Sequence, residues 1–180
     1  NECYYVDKTL LIRDIIDNHS KVYLFTRPRR FGKTLTMDMV RTFFEKTDTD
    51  TSIYFKDKYI WRAGAAYKEK QGQYPVIFLT FKDAHQSTWQ DMYASLCFIL
   101  RNEFLRHIEL TTSARLSDYD KKYLKSILDD EATIIDYQFA LGKLSAMLSK
   151  HYGRNVIVII DEYDTPIQQG HIFGYYDEVI

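Results

Sequence analysis

Lys21-Val22-Tyr23-Leu24-Phe25-Thr26-Arg27-Pro28-Arg29-Arg30-Phe31-Gly32-Lys33-Thr34 joins a short apolar run, a basic turn and the start of a helical pattern. Val22 to Phe25 read as a strand. Leu35, Met39, Val40, Phe43 and Phe44 then recur at helical spacing, so a helix ending near Glu45 is expected. Strand, loop and helix in that order are the context of a phosphate-binding loop. Backbone N–H groups at a helix start point at an anion and carry the positive end of the helix dipole. In such a loop Lys33 reaches the terminal phosphates and the Thr34 hydroxyl ligates magnesium. A nucleoside triphosphate suits this arrangement. Arg29, Arg30, Phe31, Gly32, Lys33, Thr34 and Leu35 are its candidate binding residues. The general pattern places a glycine five positions before Gly32, where this chain has Arg27. A bare Gly-Lys-Thr also occurs in ordinary turns with a solvated lysine, so the motif needs a companion.

The companion is Asn155-Val156-Ile157-Val158-Ile159-Ile160-Asp161-Glu162-Tyr163-Asp164. Five β-branched apolar residues, Val156 to Ile160, read as a strand buried on both faces. Asp161 and Glu162 follow at its C-terminal end, where open α/β sheets bind ligands. An acid there holds magnesium, and the next acid polarises an attacking water. Asp161 is therefore the candidate metal residue beside Thr34, and Glu162 the candidate catalytic base. Either motif alone has an ordinary structural explanation; the pair is far more specific.

The stretch Arg27 to Thr34 resembles the hallmark loop of the predicted AAA-ATPase-like proteins. Tyr5-Val6-Asp7-Lys8-Thr9 before it, and Ile160-Asp161-Glu162-Tyr163-Asp164-Thr165-Pro166 near the end, are similar to that family's other signatures. The arginine replacing the first loop glycine is part of the family pattern. The resemblance implies a P-loop ATPase domain using ATP and Mg2+, with Gly32, Lys33 and Thr34 on phosphates and metal, Asp161 on the metal and Glu162 as base. It also implies that intact members often continue into a nuclease-like domain of the restriction-endonuclease type. Adenine preference follows from this resemblance alone. No guanine-type Asn-Lys-x-Asp motif occurs in the chain.

With 180 residues, 46% of them hydrophobic, the chain can bury a sizeable core, which 15 tyrosines and 11 phenylalanines make aromatic. The net charge of −1 gives no electrostatic case for nucleic acid or a membrane surface. Arg27, Arg29, Arg30 and Lys33 crowd the loop, but no basic groove surrounds them in sequence. Cys3 and Cys97 lie far apart without metal-ligand spacing. Neither a disulfide framework nor a zinc site is expected, and a reducing cytoplasm is the expected setting.

Asp7 is the expected N-cap of a helix through Asn18, with Leu10, Leu11, Ile15 and Ile16 on its apolar face. Residues 47–52 read as loop, and 53–73 show no clear period. Pro75 to Phe81 read as a buried strand. Ser87 is the expected cap of a long helix carrying Met92, Leu96, Ile99, Leu100 and Phe104. Ser117 caps a shorter one, and a last helix over 135–150 stops at Gly153. This alternation predicts an α/β fold, a P-loop NTPase three-layer sandwich with a mostly parallel sheet. In related ATPase domains a later strand separates the metal-acid strand from the P-loop strand, and the chain ends soon after Asp161. One domain truncated after that strand is the expectation; direct pairing of the two strands is the alternative.

Three functions stay open. One is an ATP-hydrolysing domain that drives or gates a further domain. Another is a nucleotide-binding sensor without turnover. The third is the ATPase module of a nucleic-acid-processing protein. Oligomeric state is not readable. Asp7 and Lys8 suit either a cap or a contact near the nucleotide, and the five histidines read as surface or capping residues.

Overall fold

The computed structural model describes residues 6–18, 20–26 and 31–180. The chain divides into two compact units, Asn1–Val76 and Ile77–Ile180.

In the first unit, α1 (Leu10–Asn18) and α2 (Lys33–Phe44) are joined by residues with no regular structure among those described. The expected strand at Val22–Phe25 does not form. Val22 is 83% exposed and Leu24 68% exposed while Tyr23 and Phe25 are half-buried, and among the described residues the run has no ladder partner to hold it extended. Helix α2 forms as its period requires: Thr36, Met39, Val40, Phe43 and Phe44 are buried on one side. It ends where Glu45 turns to extended backbone. Phe43 packs edge-on against Phe44 and Phe55, each with ring centroids 5.1 Å apart. The aromatic stretch after α2 folds as a one-turn 3-10 helix at Thr51–Tyr54, then α3 (Tyr59–Arg62) and α4 (Ala65–Lys68). The Gly72 and Tyr74 N–H groups donate to the Phe43 and Phe44 carbonyls, closing the unit's chain onto the end of α2.

On α1 the residue fully buried is Ile12, while the expected face of Leu10, Leu11, Ile15 and Ile16 is half-buried. α1 begins at Leu10, so Asp7 stands two residues ahead of the position flanking the helix and is not its N-cap. Its carboxylate takes the Thr9 N–H at 2.9 Å and the Thr9 hydroxyl at 2.6 Å.

The second unit is built on a two-stranded parallel sheet, β1 (Val76–Thr80) and β2 (Ile157–Asp161). The crossover between them holds α5 (Trp89–Arg106), a 3-10 turn at Ile108–Thr112, α6 (Asp118–Leu128) and α7 (Ile134–Tyr152). Ile77, Leu79, Phe104, Leu124, Ile127, Leu144 and Leu148 form the core, at most 2% exposed each. Burying each contributes about 1.5–3 kcal/mol. The cap of α5 is Thr88 and not Ser87: its hydroxyl takes the Asp91 N–H at 3.2 Å. Ser117 caps α6 as expected, in a reciprocal box with Asp120. Gly153 ends α7 in the left-handed region.

Two expectations need correction. β2 is not buried on both faces, because Val158 is 41% exposed and Ile157 partly so. The sheet has two strands among the described residues and not the several that a three-layer sandwich implies; what stands is an α/β fold.

Residues 165–180 form α8 (Thr165–Phe173) and α9 (Tyr176–Val179). Pro166 stands in the first turn of α8, where its missing N–H costs nothing. A Cβ on Gly170 would lie 3.1 Å from the Tyr176 Cα, so this glycine permits α8 and α9 to touch. Tyr175, between them, is 5% exposed against Ala84 and Met92, and its hydroxyl donates to the Gln86 carbonyl at 2.7 Å. No helix among the described residues is long and apolar enough to cross a membrane.

Candidate functional site

Helix α2 begins at Gly32, whose φ of 71° lies in the left-handed region that glycine adopts without strain. Gly32 offers no side chain to cap the helix. Its carbonyl receives the Thr36 N–H at 3.0 Å and the Thr36 hydroxyl at 2.9 Å. Lys33, Thr34 and Leu35 thus form the first turn, ahead of the first intrahelical bond. That is where a helix presents amide hydrogens to an anion. Thr34 and Leu35 are exposed and Lys33 is half-buried. Phe31 is 63% exposed. Arg29 and Arg30 lie outside the described residues.

Lys8 enters this neighbourhood from the start of the chain. Its Nζ donates to the Phe31 carbonyl at 3.4 Å and lies 3.6 Å from where a Cβ on Gly32 would sit.

In the second unit, Asp161 is the last residue of β2 and is fully buried. Its carbonyl accepts the Phe81 N–H at 3.0 Å, so the strand ladder fixes its position. Glu162 follows with φ 54°. A glutamate in the left-handed region is strained, and such outliers gather at functional sites. The Glu162 carbonyl takes the Thr165 N–H at 3.0 Å, which starts α8. Asp164, the N-cap residue of α8, accepts the Gln168 side-chain amide at 2.6 Å. Lys33 and Thr34 belong to the first unit, Asp161 and Glu162 to the second.

A threonine hydroxyl and an aspartate carboxylate are each oxygen donors of the kind magnesium takes alongside phosphates and water. Among the described residues no three His, Cys, Asp or Glu side chains gather as a metal cage.

Sequence reading missed one charged cluster. His107, expected as a surface or capping residue, is the C-cap of α5 and is 5% exposed. It stands 3.4 Å from Glu103 and 3.5 Å from Glu109, whose carboxylate also accepts the Tyr152 hydroxyl at 2.9 Å. The signal was the spacing of Glu103, Arg106 and His107, three and four residues apart on a helix. Elsewhere in this unit, a cavity of about 390 Å3 is lined by residues including Tyr93, Cys97, Arg101 and Tyr137. Burial pushes the Cys97 thiol up, away from its reactive thiolate form.

The chain belongs to the predicted AAA-ATPase family, which it matches over residues 1–179. It is also similar to an uncharacterised protein encoded in the vnfD 5′ region of Azotobacter chroococcum mcd 1, with 24% identity over 169 residues. That match covers 93% of this chain and 27% of the relative. No solved structure matches the chain.

Proposed function

We propose that this chain binds ATP with Mg2+ and, within its intact protein, hydrolyses it. The supporting observation is the start of α2: a left-handed glycine without a side-chain cap, followed by Lys33 and Thr34 in the first turn, in a member of a predicted ATPase family. Gly32 and the first-turn amides receive phosphate oxygens, helped by Arg29, Arg30, Phe31 and Leu35. Lys33 neutralises the terminal phosphates. Thr34 and Asp161 would hold the magnesium, which would withdraw charge from the phosphoryl group. Glu162 orients the attacking water and accepts its proton. The full P-loop sandwich, and coupling of hydrolysis to a nuclease-like domain or another partner, belong to the same proposal.

Titration calorimetry with MgATP tests it. Wild type binds, and Lys33→Ala loses about 10-fold or more in affinity, as expected when one charged contact to phosphate is removed. In the intact protein Glu162→Gln retains binding while turnover falls about 100-fold or more. Turnover at the wild-type rate in Glu162→Gln would remove the glutamate from its role.

A further inference from the structure

The Asp7-Lys8-Thr9 turn is held more firmly than a helix cap requires. The Asp7 carboxylate accepts three hydrogen bonds: the Thr9 N–H at 2.9 Å, the Thr9 hydroxyl at 2.6 Å and the Tyr59 N–H at 2.8 Å. The Thr9 hydroxyl oxygen in turn accepts the Ile60 N–H at 3.1 Å, and Thr9 is 1% exposed. The turn is thereby tied to the start of α3 as well as to α1. Lys8, between these two anchors, points to the phosphate loop: its ammonium reaches the Phe31 carbonyl and approaches Gly32. An ammonium carries three donors, and one carbonyl engages one of them. Among the described residues no carboxylate forms an ion pair with Lys8.

A cation in a rigid turn, brought beside the glycine that opens a helix, is poorly explained by stability alone. Exposed lysine contacts contribute little, and a carbonyl is a weak partner for a full charge. An anion seated over Gly32 would give the ammonium a charge-assisted partner at 2.7–2.9 Å typical spacing. We propose that Lys8 is a second phosphate-binding cation, acting with Lys33 on the polyphosphate of the bound nucleotide. This rests on the nucleotide reading above and adds a residue from outside the loop. It also gives the Asp7 and Thr9 hydrogen bonds a purpose, because they hold the Lys8 backbone at the distance its side chain must span.

The test is calorimetry on the full chain with MgATP, MgADP and AMP as probes, for wild type, Lys8→Met, Lys8→Arg and Lys33→Ala. Lys8→Met keeps the apolar stem and removes the charge. Its affinity for MgATP falls about 10-fold, the loss shrinks toward AMP, and Lys8→Arg recovers most of it. Raising the salt concentration narrows the gap between wild type and Lys8→Met, since screening weakens the contact that only wild type has. Melting of the nucleotide-free protein stays unchanged. If Lys33→Ala loses MgATP while Lys8→Met binds as wild type, the Lys8 proposal fails and the nucleotide reading survives. Equal losses for MgATP and AMP with a lower melting temperature would make Lys8 a latch on Phe31 and overturn the proposal. A folded wild type that binds none of the three probes overturns both readings.

Discussion

The Glu103 carboxylate, 4% exposed, accepts the Phe78 N–H of β1 at 2.8 Å and two hydrogen bonds from the Arg106 guanidinium, at 2.9 and 2.7 Å. Burial alone would push this carboxyl up; hydrogen bonds from His107 and Arg106 outweigh it and hold it at about 2. Burial would likewise push His107 down, and the Glu103 and Glu109 carboxylates outweigh it and raise it. The lowered Glu103 value makes its stabilisation complete above its ordinary 4.5 and lost as pH falls toward 2. The raised His107 value makes its share complete below its ordinary 6.5 and lost as pH rises through the raised value. Urea denaturation should therefore show wild type losing stability above pH 6.5, with that loss absent in His107→Gln. Glu103→Ala removes the acceptor of the Phe78 N–H and one of the two carboxylates beside the buried His107, and should cost about 3–5 kcal/mol. At this scale the sequence nominated Lys33, Thr34, Asp161 and Glu162 through local motifs. It hid Glu103 and His107, because a charge's burial depends on what packs over it.

Elements were legible where period and cap agree. Helix α6 carries Leu124 and Ile127 at core spacing behind a Ser117–Asp120 box, and both signals lie within a few residues of sequence. Ser117→Ala should lower stability by about 1 kcal/mol in chemical denaturation. Thr88 replaced Ser87 as the cap of α5 because adjacent hydroxyl residues offer the same chemistry, and only the backbone's turn selects between them. The run Val22–Phe25 misled for a different reason. Four apolar residues are compatible with a strand, but a strand is completed by hydrogen bonds from a distant segment that no local pattern specifies. In sequence, Pro166, Gly170 and Gly174 would ordinarily interrupt helices such as α8 and α9. Pro166 instead starts a helix, Gly174 ends it, and Gly170 lets its neighbour approach.

Each of the two units has its own apolar interior. Ile12, Met39, Val40, Phe43, Phe55 and Ile60 fill the first, and the cluster around Phe104, Leu124 and Leu144 the second. Phe43→Ala and Phe104→Ala should each cost about 3–5 kcal/mol. Native-state hydrogen exchange should place the loss mainly in residues 10–75 for the first variant and 77–179 for the second. Uniform acceleration in either variant would mean that the two units open as one. The sequence by itself determined the helices with strong periods and the strands around residues 76–80 and 157–161, and it nominated the Gly-Lys-Thr and Asp-Glu motifs, all of which are local in the chain. Only the tertiary structure decided that Val22 and Leu24 stay exposed, that Lys8 reaches Gly32 from a turn 24 residues earlier, and that Glu103 and His107 are buried together. Those outcomes depend on which distant surfaces exclude water from one another, and that is fixed by packing of the whole chain rather than by neighbours in sequence.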